Sequence, residues 1–169
     1  MHRSTVLLSL SLTFAGSSAL AQADATVWSG ISAQVRAAHV AVARDQTEWE
    51  SLWRSWVGTA PPRGLPPGSQ GVAVFIGPKH TGGYGVEVRG VDQRDCLDVV
   101  KFVERAPAPG AFVTQVFTTP WTVALVPASE RPVAFERHSS TADTRLLLPT
   151  PEGPRLMQMS EICGKDRRP

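Results

Sequence analysis

The chain has 169 residues, a formal net charge of +2 at pH 7 and 19% charged residues with the two signs interleaved. Lysine stands only at Lys79, Lys101 and Lys165, so the sequence lacks the clustered basic face that nucleic-acid binding requires. His39, His80 and His138 stand singly and Cys96 and Cys163 lie far apart, a distribution without metal-ligand spacing.

The amino terminus carries one fixed charge, Arg3, then the apolar-rich run from Val6 to Leu12, then small residues closing on Ala19-Leu20-Ala21. A basic start, an apolar stretch too short to cross a bilayer and a small-x-small end predict a secretory signal peptide over residues 1–21. Cleavage is placed after Ala21, with Ala23 as the alternative. Removal of 21 of the 169 residues leaves 148, enough chain for one domain with a real core. That domain is placed at 22–164, with a charged, disordered tail over 165–169. No cysteine adjoins the cleavage position and no later run is long enough to span a membrane, so the mature protein is expected to be periplasmic or secreted without an anchor.

In chain order, extended pieces at 26–30 and 35–43 lead into a helix in RDQTEWESLWRSWVG. Asp45 and Glu48 stand at a spacing close to that of a capping box, and Gly58 is the stop. Trp49, Leu52, Trp53 and Trp56 fall at i, i+3, i+4 and i+7 and are assigned to the helix's core-facing stripe. Residues 59–71 hold four prolines and three glycines and form a stiffened loop. Short strands follow at Val72 to Ile76, Tyr84 to Val91, Leu97 to Glu104, Phe112 to Thr118, Trp121 to Val126 and Pro132 to Glu136. A late hairpin flanks the proline-rich tip 149–154. Strands at this spacing predict a mainly β, α+β fold: an antiparallel sheet curled into a sandwich or open barrel, with the single Trp-rich helix packed on it.

In an exported chain two cysteines allow one intramolecular pairing, Cys96 with Cys163; the other reading is two separate thiols. Thr81-Gly82-Gly83-Tyr84 links two strands and is either a plain turn or a recognition loop.

Taken together, the Trp-containing helix segment 48–53, Thr81-Gly82-Gly83-Tyr84 followed by Val86-Glu87-Val88, the proline turn 106–110, Thr114-Gln115, Thr118-Thr119-Pro120-Trp121 and the strand 123–127 resemble the PrcB C-terminal domain family, over about 28–135. Trp121 departs from the pattern, since tyrosine is expected more often there; an indole keeps the apolar body and a polar handle. The resemblance implies an exported accessory domain that binds a protein and has no catalysis of its own, and no cofactor is expected; the family's name comes from a subunit associated with a surface serine protease complex, which does not by itself make a protease the partner of this chain.

The surface expected to make that contact combines Thr81, Gly82, Gly83 and Tyr84 with the corner Thr119, Pro120 and Trp121, the other reading being a turn and two core plugs. The two loops are also similar in outline to those of chagasin-type cysteine-protease inhibitors, without the arginine or the full Asn-Pro-Thr-Thr-Gly-Tyr. A hydrolase built on His80 or His138 is the remaining alternative, and the sequence supplies neither a nucleophile elbow nor paired carboxylates for it.

Overall fold

The computed structural model describes residues 27–138 and 146–164. The expected signal segment 1–21 and tail 165–169 lie outside the described residues. Among the described residues stand nine strands and two α-helices: β1 (Val27–Gly30), β2 (His39–Ala43), α1 (Gln46–Leu52), β3 (Ser69–Phe75), β4 (Gly85–Arg94), β5 (Leu97–Arg105), β6 (Trp121–Pro127), β7 (Val133–Arg137), β8 (Leu146–Leu148), β9 (Arg155–Met157) and α2 (Met159–Cys163). One sheet runs β1-β6-β3-β2 and the other β4-β5-β7-β8-β9. This is the mainly β sandwich that the sequence predicts.

The unbroken apolar run of β3 is explained by its place between two layers. Val72, Val74 and Ile76 point to a core shared with Val100, Phe102 and Phe135 of the second sheet. Ala73 and Phe75, on the opposite face, join the core under α1 with Trp49, Leu52 and Trp53. A strand covered on both faces has no solvent side to alternate with. β5 is buried on both faces too: Leu97 and Val99 join a third core with Ala134 and Leu146, covered by Met159 and Ile162 of α2. The layers are therefore helix, sheet, sheet, helix.

One pairing breaks the antiparallel pattern. β5 and β7 run parallel, Asp98 opposite Val133 through Phe102 opposite Arg137. Between them the chain visits the first sheet as β6, which supplies the crossover that a parallel pair needs.

The helix begins as its sequence indicates. Asp45 accepts from the Glu48 N–H at 2.8 Å, while the Glu48 carboxylate reaches back to the Arg44 N–H at 2.7 Å, one residue earlier than in a standard capping box. α1 then widens into a π turn over Trp53–Val57 and ends at Gly58, whose φ of 88° is the left-handed cap that glycine accepts. Trp49, Leu52 and Trp53 are 0%, 3% and 4% exposed. Trp56, displaced by the π turn from where a regular helix would carry it, packs at the edge of the same core and stacks on His39 at 4.1 Å. The proline-rich loop closes over this layer: Trp49 Nε1 donates to the Arg63 carbonyl at 2.9 Å and the Arg63 guanidinium lies 5.7 Å from the Trp28 ring centre.

Gly71 of β3 lies directly against the Trp49 ring, and a Cβ there would sit 2.5 Å from Cε3 and Cζ3 of Trp49. A fully buried indole has nowhere to retreat, so Gly71→Ala is expected to lose about 1–3 kcal/mol in urea unfolding, the usual cost of overpacking.

Two features of the sequence reading change. Phe112 to Thr118 is not a strand. It runs as an irregular strap, held at Lys79–Thr118 by a single bridge and at Thr114 by one bond from the Gly82 N–H. β propensity becomes a strand only where a neighbour offers a ladder, and among the described residues no further strand pairs with this segment. The late hairpin forms as β8 and β9, and α2 after it has no forerunner in the pattern reading.

Cys96 and Cys163 form a disulfide with Cα atoms 5.7 Å apart. It ties the turn between β4 and β5 to α2 and closes the third core at its edge.

Candidate functional site

The connection 77–84 between β3 and β4 and the strap 106–120 between β5 and β6 meet at one end of the sandwich, laced by backbone. Lys79 and Thr118 exchange N–H to carbonyl bonds of 2.8 and 2.9 Å, and the Gly82 N–H donates to the Thr114 carbonyl at 2.9 Å. The Thr118 hydroxyl donates to the Thr81 carbonyl at 3.0 Å. This explains the glycine pair. Gly82 is buried against Thr114, and any Cβ on it would collide with that hydroxyl; Gly83 has φ of 83°, and a Cβ there would meet Val113 at 2.9 Å. The two glycines thus permit a close approach between loops as well as a reversal.

Thr81 and Tyr84 are half-buried. The Lys79 ammonium lies 5.4 Å from the Tyr84 ring centre, within range of a cation–π contact. His80, on the loop, stacks edge-on against Phe117 of the strap at 5.2 Å.

The corner Thr119-Pro120-Trp121 is tied inward. The Thr119 hydroxyl donates to the Ala33 carbonyl at 2.9 Å and accepts from the Ala33 N–H at 2.5 Å. Trp121 is 8% exposed, donates its indole N–H to the Ser32 carbonyl at 3.0 Å and meets Trp53 edge-to-face at 5.7 Å. Gly30 makes room for it, since a Cβ there would lie 2.7 Å from Trp121 Nε1. Pro120 is buried as well. The structure therefore places Thr81, Gly82 and Gly83 against the strap, while Tyr84 and Trp121 together line a cleft of about 350 Å³ beside the Glu87–Arg105 ion pair.

The residues most open to solvent at this end are others. Phe112 is 107% exposed, Phe117 78% and Val116 51%. The sequence reading gave Phe112 and Phe117 to a strand and so assigned them no contact role. A signal was available in the uncharged hexad 112–117, which is bounded by a proline turn on one side and Thr119-Pro120 on the other.

Among the described residues no group of three or more His, Cys, Asp or Glu side chains stands close enough to hold a metal ion, and neither His80 nor His138 hydrogen-bonds a serine or a carboxylate through its ring. No helix among the described residues is long and apolar enough to cross a membrane.

The two laced loops and strands β3 to β6 form one continuous stretch of chain. Residues 72–127 match the PrcB C-terminal family. The resemblance drawn from the motifs is upheld over this stretch, which is shorter than the 28–135 read from sequence and begins after the Trp helix. No curated protein and no solved structure matches the chain. The PrcB-like segment thus carries both loops, while α1, strands β1, β2 and β7 and the carboxyl-terminal hairpin with α2 lie outside the match.

Proposed function

We propose that this is an exported, non-catalytic accessory module that binds a protein partner through the loop end of its PrcB-like segment, with a protease complex as the partner class that the family's name suggests. The observation that carries this reading is the exposure of Phe112, Val116 and Phe117 on a strap pinned to the neighbouring loop at Lys79 and Gly82. Aromatic side chains held in water on a rigid support have little to gain within their own fold and are favoured anchors at interfaces. Thr81, Gly83 and the strap backbone supply the polar rim around them.

The test is crosslinking of the exported protein in its host, followed by identification of the captured chain. Wild type is expected to capture a protease subunit, and Phe112→Ser with Phe117→Ser to lower that yield about tenfold or more, as loss of interface anchors does. Both side chains stand in solvent, so stability should stay within about 0.5 kcal/mol of wild type. Equal capture by the double variant would sink the assignment of the strap.

The side-by-side loops also favour a second reading, insertion into a protease cleft in the manner of chagasin-type inhibitors. Assays with papain-like and subtilisin-like proteases at micromolar protein decide it: inhibition lost in the double variant supports it, and unaffected turnover removes it.

A further inference from the structure

A cavity of about 520 Å³, sharing no lining residue with the two loops, opens between residues 35–39, Trp56 and the 150–155 tip of the β8–β9 hairpin. One side of it is aromatic and apolar. Trp56 and His39 stack with planes 31° apart, and Val35 and Pro154 line the space with them. Burial pushes the His39 pKa down, which favours the uncharged imidazole in that stack.

The charge around this wall is unusual for the molecule. Ten arginines lie among the described residues. Arg54, Arg89, Arg94, Arg105, Arg131 and Arg137 each face a carboxylate. Arg44 donates to a carbonyl and Arg63 covers Trp28. Among the described residues, the other two, Arg36 and Arg155, have side chains without an ion pair or hydrogen bond, and both line this one cavity. Glu152 lines it as well, but its carboxylate accepts from the Thr150 hydroxyl at 3.1 Å and pairs with neither arginine.

We propose that this cavity binds a monoanionic carboxylate carried on an aromatic or branched apolar body. The guanidinium fork matches a carboxylate's two oxygens. An aromatic wall in a cavity of this size takes the body, by the usual division of labour in small-ligand sites. Two arginines against one glutamate leave a single surplus positive charge, which suits a monoanion; a dianionic phosphate would bring a second charge towards Glu152. The chemistry is shared by a free aromatic acid and by the C-terminus of a peptide ending in an apolar residue.

NMR titration of the mature, oxidised chain tests the site, using N-acetyl-phenylalanine, its methylamide and the peptide acid N-acetyl-Ala-Ala-Phe. The acid is expected to shift the His39 ring and Trp56 indole resonances along a saturable curve. Binding of the methylamide to wild type, and of the acid to the Arg36→Gln, Arg155→Gln double variant, should both be weaker than acid binding to wild type by about tenfold or more, the usual effect of losing a charge-assisted pair. Both arginines are exposed, so the double variant should keep the wild-type spectrum elsewhere. Either order of affinity between the two acids supports the site: tighter binding of the peptide acid assigns a polypeptide C-terminus, and tighter binding of the single amino acid assigns a free acid. Equal binding of acid and amide, undiminished binding by the double variant, or shifts that spare both His39 and Trp56 would each overturn the proposal.

Discussion

Replacing Cys96 and Cys163 together by alanine is expected to cost the domain roughly 4 kcal/mol, the chain-entropy figure for a crosslink across a long loop. The bond joins residues 67 apart in sequence. Strands β5 to β9 all lie between them, so the reduced unfolded chain gains freedom over much of the domain. The folded side suffers as well. α2 has five residues, far too few to persist as an isolated helix, and Met159 and Ile162 cover the third core only while α2 is held down. Urea unfolding of the oxidised wild type and the double alanine variant measures this. A lower midpoint is expected, together with loss of amide protection in α2 and β9 at urea concentrations where the first sheet stays closed. A difference under about 1 kcal/mol would show that the crosslink constrains little and that α2 docks through its own contacts.

Trp53→Ala is the other substitution with a large expected effect, a loss of roughly 3–5 kcal/mol, as for other buried aromatic truncations. Trp53 stands at the centre of the indole cluster, 5.5 Å from Trp28, 5.6 Å from Trp49 and 5.7 Å from Trp121 between ring centres, with edge-to-face geometry in each pair. Its removal opens a cavity between α1 and the first sheet and withdraws three aromatic partners at once. Phenylalanine separates packing from polarity. Trp53 Nε1 is buried without an acceptor among the described residues, so Trp53→Phe removes a donor that the fold leaves unpaired. Trp49 Nε1 by contrast holds the Arg63 carbonyl. Trp49→Phe is therefore expected to cost about 1 kcal/mol more than Trp53→Phe, the size of one hydrogen bond. Chemical unfolding of the three variants checks the order; equal losses for the two phenylalanine variants would mean that the loop contact adds nothing.

The family signal and the fold reside in different parts of this chain. The match covers β3 to β6, yet the indole cluster draws on Trp28, Trp49 and Trp53 outside it and on Trp121 inside it. Trp121 thus serves the fold from within the segment expected to make contacts. Its neighbours Thr119 and Pro120 are likewise tied or buried, which leaves the loop end to present Thr81, Gly83 and the strap.

Local chemistry by itself determined much of this. The Asp45 cap, the Gly58 stop and the indole spacing specify α1 because helix ends and faces depend on residues within a turn or two of one another. The alternation in β4 and the apolar runs of β3, β5 and β6 specify strands, and two cysteines admit one intramolecular bridge. Tertiary structure decided what depends on neighbours distant in sequence. It denied the hexad 112–117 a strand by giving it no ladder, and so left Phe112 and Phe117 in water. It made β5 and β7 parallel by sending β6 to the other sheet. It widened α1 at Trp53 and set Trp56 on His39, forming the wall of a cavity whose two arginines lie more than a hundred residues apart in sequence. Side-chain type is written residue by residue, whereas exposure and company are settled only when layers close on one another.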